Sequence, residues 1–223
     1  MDVNAQIEAV DRTLRTTELD GEQARVQSLA QTYPSPLDDV WDAVTTGERI
    51  ARWFAPVEGD LRLGGRYQVV GNAGGEVLAC TPPHDDSASY RVTWEYGGAV
   101  SWLEISLTRV DAQSTRLELT HTAQTEGLPP GFWEMYGPGA TGVGWDMGLL
   151  GLALHLTSGE RIAPEDAEAW QVSDEGKRFS RAAADGWAKA QIADGADPDA
   201  ATAAATNTYL FYTGQTAEEA QDE

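Results

Sequence analysis

Tyr90-Arg91-Val92-Thr93-Trp94-Glu95-Tyr96-Gly97-Gly98-Ala99-Val100-Ser101-Trp102-Leu103-Glu104-Ile105 is the stretch that decides the fold class of this 223-residue chain. Tyr90, Val92, Trp94 and Tyr96 alternate with Arg91, Thr93 and Glu95, the period of a strand with one buried face. Gly97-Gly98 supplies a two-residue hairpin loop. That loop sets a register: Tyr96 opposite Ala99, Trp94 opposite Ser101, Val92 opposite Leu103 and Tyr90 opposite Ile105. The other face then pairs Arg91 with Glu104, so one side of the hairpin is apolar and the other charged.

Working outward, Arg116 to Thr122 reads as the next strand, with Leu117, Leu119 and His121 on one face. If it returns antiparallel with Leu107 opposite Leu117, His121 lies beside Leu103 and in a row with Val92. On the N-terminal side, glycine-punctuated β pattern runs back to Asp60. Before it, Leu37, Val40, Trp41 and Val44, then Ile50, Trp53 and Phe54, recur at helical spacing and predict two short helices around Gly47. Residues 3–11 read as a short helix, and Asp20-Gly21 joins two further strand-like runs.

After an irregular segment from Gly127 to Gly139, a long helix is expected over Gly142 to Thr157. Trp145, Leu149, Leu152 and Leu156 form one stripe, Val143, Met147, Leu150 and Leu154 a second. The line Gly144, Gly148, Gly151 and His155 is nearly bare of side chains. Each helical glycine is unfavourable by about 1 kcal/mol relative to alanine, so close backbone packing or a bound ligand should compensate. Beyond Ser158-Gly159 the composition turns to alanine and acid, with helices expected at 164–171, 173–194 and 197–212. Pro164 and Pro198 stand near helix starts, where proline is tolerated. The expected organisation is therefore a domain at 1–159 and a helical extension at 160–223 packed on it, because Trp170, Phe179, Trp187, Tyr209, Phe211 and Tyr212 need burial.

Charge narrows the partners. The chain holds 15 basic and 36 acidic residues, a formal net charge of −21. Residues 1–159 carry 10 basic and 22 acidic groups and residues 160–223 carry 5 and 14, so the acidity belongs to both parts. Such a surface repels nucleic-acid phosphates and anionic membranes, so neither is an expected partner. Cys80 is the single cysteine and forms no internal disulfide. The start, Met1-Asp-Val-Asn, lacks a signal-peptide pattern, and the apolar run Leu149 to Leu156 is too short to span a bilayer. A cytoplasmic location is expected.

Candidate chemistry is sparse. Gly137-Pro138-Gly139-Ala140-Thr141-Gly142 fits G-x-G-x-x-G and opens a helix, but no buried strand precedes it, so the dinucleotide reading lacks its context. His84, His121 and His155 show no metal-ligand spacing, and no metal or cofactor is expected. Cys80, near Pro82-Pro83, reads as a small buried hydrophobe. His121 alone falls on an inward face, where it is either a pocket-wall histidine or a general base. The aromatic load suits a ligand cavity as well as a large core.

Several blocks carry a resemblance: Tyr33-Pro-Ser-Pro-Leu-Asp-Asp-Val-Trp-Asp-Ala-Val-Thr, Ile50-Ala-Arg-Trp-Phe, Asp60-Leu-Arg-Leu-Gly-Gly-Arg-Tyr, Gly75-Glu-Val-Leu with Pro82 beyond, Val92-Thr-Trp-Glu-Tyr, Thr115-Arg-Leu-Glu-Leu-Thr-His-Thr and Gly144-Trp. In this order they resemble the activator of heat-shock protein 90 ATPase homologue-like family, a branch of the START-like, or SRPBCC, superfamily, over roughly residues 24–157. The resemblance implies an α+β helix-grip fold, a curved antiparallel sheet wrapped around a long α-helix with a cavity between. Two features depart from the usual pattern. Gly47 stands where relatives often have Asp-Pro, and residues 160–223 extend past the usual domain end, as in a subgroup of bacterial members. The superfamily includes lipid and hormone binders, polyketide cyclases and aromatases, and chaperone activators, so fold alone does not select a function.

The function expected from these features is binding of a small hydrophobic or aromatic molecule between sheet and helix. The expected contacts are Trp53 and Phe54 from the short helix, and Tyr90, Val92, Trp94, Leu103, Leu119 and His121 from the sheet. Trp145, Gly148 and Gly151 of the long helix complete the set. The alternatives are a co-chaperone that stimulates an ATPase, which the resemblance alone suggests, and a cyclase, hydrolase or isomerase with His121 as base. Further candidate partners are a chaperone and, through an exposed Trp102 beside Thr93, a second copy of the chain.

Overall fold

Two tight turns anchor the sheet in this computed structural model, which describes residues 3–126, 128–159 and 161–215. Gly127 and Glu160, which begin two of the segments named above, lie outside the described residues. Asp20-Gly21, with φ of 55° and 85°, joins β1 (Asp11–Leu19) to β2 (Glu22–Tyr33). Gly97-Gly98, with φ of 60° and 86°, joins β6 (Ser87–Tyr96) to β7 (Ala99–Asp111). Positive φ at both central residues gives the turn whose twist matches a right-handed strand pair, hence glycine and aspartate at these positions. The register of the second hairpin is the one the alternation predicts, with Tyr96 opposite Ala99, Val92 opposite Leu103 and Tyr90 opposite Ile105.

β8 (Ser114–Gln124) returns beside β7 with Leu107 opposite Leu117 and Leu103 opposite His121. On its other side it pairs β2, with Leu29 opposite Leu119 and Gln27 opposite His121. β3 (Val57–Gly59), β4 (Arg66–Val69) and β5 (Gly74–His84) complete one eight-stranded antiparallel sheet in the order β1-β2-β8-β7-β6-β5-β4-β3. β5 shifts register twice, after Val77 and after Thr81, and such irregularities bend a strand. Of β5, only residues 74–76 pair with β4, so Pro82-Pro83 sit on an unpaired edge, where the missing N–H costs no ladder bond.

The helices are α1 (Val3–Glu8), α2 (Leu37–Thr45), α3 (Gly47–Trp53), α4 (Phe132–Tyr136), α5 (Gly139–Ser158), α6 (Pro164–Gln171), α7 (Asp174–Ala193) and α8 (Pro198–Thr213). α4 falls in the segment expected to be irregular. It is five residues long between glycines of positive φ at 131 and 137, too short to show a helical period. α5 starts three residues earlier than expected, directly after Pro138.

α5 is apolar around most of its circumference, as befits a helix buried on more than one side. Trp145, Leu149 and Leu152 face the sheet side, while the opposite side meets α7 and α8. A β-carbon on Gly142 would fall 2.3 Å from the Trp187 ring, and one on Gly139 2.9 Å from Thr208. The G-x-G-x-x-G spacing thus serves helix packing, and helix α4 rather than a strand precedes it. Asp146, next to Trp145 in the chain but on the other face, takes a paired contact from Arg12 of β1 (Nη2 to Oδ1 2.6 Å) and a bond from Trp187 Nε1 at 2.9 Å. Burial pushes the Asp146 carboxyl up; the Arg12 guanidinium and the indole N–H pull it back. The ion pair thus ties β1 to α5, and Trp187 of α7 bonds the same carboxylate.

Candidate functional site

Between the sheet and α5 lies a cavity of about 140 Å³. The inward rows of β6, β7 and β8 form one wall through Tyr90, Val92, Trp94, Leu103, Ile105, Leu117 and Leu119. The opposite wall is Trp145, Gly148, Leu149 and Leu152 of α5. Val44 and Thr45 of α2, Ile50 and Trp53 of α3, Phe54, Val57 and Leu61 close one end, and Tyr67, Val69, Val77 and Cys80 of β4 and β5 the adjoining side. None of these residues carries a charge. Exposed Cys80 and half-buried Ile50, Val57 and Leu61 mark the solvent side, whereas Val92, Leu103, Leu119, Trp145 and Gly148 are buried.

Rings run along the wall in sequence. Trp53 and Phe54 lie 5.7 Å apart, Phe54 and Trp94 6.5 Å, Trp94 and Trp145 5.0 Å, and Trp145 and His121 5.6 Å. Trp41 holds Tyr90 edge-on at 6.2 Å. Polar tips are largely tied to backbone: Trp53 Nε1 donates to the Ala43 carbonyl (2.9 Å) and Tyr67 hydroxyl to that of Thr93 (2.7 Å). Burial pushes the Tyr67 and Tyr90 phenols above their ordinary range, so both stay neutral.

Nine of the eleven residues expected at the site line this cavity: Trp53, Phe54, Tyr90, Val92, Trp94, Leu103, Leu119, Trp145 and Gly148. Gly151 does not. A β-carbon there would lie 2.3 Å from the Trp53 carbonyl oxygen, so its bareness admits the backbone of α3. Gly144 faces the Tyr212 hydroxyl, 3.1 Å from where its β-carbon would be, and Gly148 alone of the three opens onto empty space. The glycine line is thus three contacts rather than one.

His121 also stays off the cavity wall. It is buried behind Trp145, with Nε2 bonded to Ser101 Oγ at 2.9 Å, and burial pushes its pKa down to about 4. A ring so hard to protonate is a weak general base at neutral pH. The expectation for Cys80 is corrected: it is exposed and borders the cavity, because the strand irregularity between Val77 and Ala79 intervenes. Trp102, expected to be exposed, is half-buried on the outer face between Thr93 and Thr122. His84 is exposed on β5 and His155 receives Arg49 Nε at 3.0 Å, so the three histidines are dispersed. Among the described residues no cluster of metal-ligating side chains occurs.

A family model described as activator of Hsp90 ATPase homolog 1-like protein matches residues 34–156, a little over half the chain. The chain belongs to that family. The crystal structure of CalU16 from Micromonospora echinospora is 31% identical with a TM-score of 0.62, over 82% of this chain and 98% of that one. Its solution NMR structure gives 30% identity and 0.67, over 83% and 97%. These matches reach well beyond the 34–156 segment. A conserved protein of unknown function from Enterococcus faecalis, EF2215, shares the fold at 14% identity and a TM-score of 0.57, over 82% of this chain and 95% of that one. Among curated proteins none matches. No helix among the described residues is long and apolar enough to cross a membrane.

Proposed function

We propose that this protein binds a small hydrophobic or aromatic molecule in the cavity between the sheet and α5, and does so in the cytoplasm. The observation that carries the reading is the uncharged, ring-lined cavity of about 140 Å³ with Gly148 opening onto it. Space of that size inside a core forfeits dispersion contacts that a ligand restores, and ligand pockets are mostly apolar in just this way. The test is titration with an apolar fluorescent probe and native mass spectrometry of protein isolated from its own cells. Saturable one-to-one binding or a co-purified apolar mass is expected. Absence of both removes the reading and leaves the aromatics as core.

The family's name favours a second reading, in which the protein stimulates a chaperone ATPase. An unchanged Hsp90 ATPase rate in its presence, with no association in a pull-down, removes that one. A dimer through the Trp102 face is a further proposal, to be dropped if the mass is monomeric at micromolar concentration. Catalysis with His121 as base gains no support from a ring held behind Trp145.

A further inference from the structure

Two buried nitrogens beside the cavity have no hydrogen-bond partner among the described residues: Nε1 of Trp145 and Nδ1 of His121. The two residues are 8% and 5% exposed, and their rings meet edge to face. A buried polar atom left unpaired loses its hydration without return, and native interiors rarely tolerate it unless a further group binds there. Two such atoms on touching rings call for a common explanation.

The Trp94 carbonyl can only accept, and Ser101 Oγ donates its one proton to it at 3.1 Å. The imidazole tautomer compatible with that bond carries its proton on Nε2, which then donates to Ser101 Oγ at 2.9 Å. Nδ1 is left as an acceptor, while an indole N–H can only donate. A group that satisfies both must take one hydrogen bond and give one. A hydroxyl does this. A carboxylate would set its lone pairs against that of Nδ1, an ammonium has nothing for the indole to donate to, and no charged residue lines the cavity to offset either ion.

Position allows the encounter. Trp145 lines the cavity and His121 does not, so the indole stands between them and must turn for a ligand oxygen to reach Nδ1. Gly148 lies one helical turn on from Trp145, on the same face, and presents open space into which the indole can move.

We propose that the cavity takes a neutral apolar molecule of about single-ring size bearing a hydroxyl, whose oxygen accepts from Trp145 Nε1 and donates to His121 Nδ1. The inference rests on the cavity being a ligand site, and its size follows from comparison with an apolar cavity of about 150 Å³ that holds benzene.

The experiment is calorimetric titration of the full chain at pH 7 with toluene, p-cresol and p-toluate. Pairing two otherwise orphaned groups should make p-cresol bind at least about tenfold more tightly than toluene, with p-toluate undetectable. In His121→Leu and Trp145→Phe the ratio of cresol to toluene affinity should fall to about one; the native ratio itself needs no variant to fold. Equal affinity for toluene and p-cresol, or preference for p-toluate, overturns the hydroxyl inference while keeping the cavity as a binding site. No binding of any of the three overturns both.

Discussion

Acid should weaken this fold through His121 before it reaches most carboxylates. The ring is buried, its Nδ1 has no partner, and charging it in place would leave an unpaired positive charge beside Trp145. Its pKa falls from the ordinary 6.5 to about 4 for this reason. In the unfolded chain the imidazole takes up a proton as the pH drops below 6.5, whereas the folded chain resists until about 4. A depressed folded-state pKa gives stability that is present in full above 6.5 and is lost as pH falls toward 4. The full separation corresponds to about 3 kcal/mol, of which about 2 kcal/mol is lost between pH 7 and pH 5. Urea unfolding followed by tryptophan fluorescence at pH 7, 6 and 5, on the native chain and on His121→Leu, isolates this effect. The subtraction removes the change in repulsion among the acidic groups, common to both proteins. The stability of the native chain relative to the variant should drop by about 2 kcal/mol between pH 7 and 5. Parallel pH profiles would refute the argument, since they would mean that the imidazole finds solvent or a counter-charge in the folded state.

Alanine at Gly148 should stabilise the chain by up to about 1 kcal/mol, because its β-carbon meets open space while the helix gains propensity; chemical unfolding reads it out. Alanine at Gly151 should lower the melting temperature, since its β-carbon cannot coexist with the Trp53 carbonyl 2.3 Å away. Asp146→Ala strands the Arg12 guanidinium, which is only 7% exposed, and should cost about 3–5 kcal/mol in urea unfolding; a loss below 1 kcal/mol would mean that the pair is hydrated. We propose that residues 160–223 belong to the same cooperative unit as the rest, so limited trypsin digestion should leave Arg161 uncut. A stable core with unchanged melting after cleavage there would show an independent appendage.

The hairpins were readable because their information is local. Two glycines fix the register of β6 and β7, and the period of two then assigns each inward residue without any long-range knowledge. The adjoining side was not readable. Tyr67 and Val69 on the short β4 and Val77 near the start of β5 lie among glycines at 59, 64, 65, 71, 74 and 75, and their facing depends on which strand neighbours them. The glycines of α5 illustrate a second limit. Gly144, Gly148 and Gly151 look alike as a line, yet a hydroxyl, a void and a carbonyl stand in front of them, and only tertiary structure distinguishes these. One signal was available and passed over: Asp146 sits in an otherwise apolar helical run, and a carboxylate buried there demands a cation, which β1 supplies through Arg12.

The ion pair shared by Arg12 and Asp146 bears on how this chain can be cut. The segment 34–156 that defines the family by sequence contains neither β1 and β2, which continue the sheet beyond β8, nor α7, which covers Gly142 and Asp146. Excised alone, it would present an open β8 edge and a helix whose rear face holds an acid without its base. In this chain the matched segment 34–156 therefore holds only part of the eight-stranded sheet and lacks the base that faces Asp146. Moving that segment of this chain into another protein should carry its flanks along, so that Arg12 and Trp187 still meet Asp146.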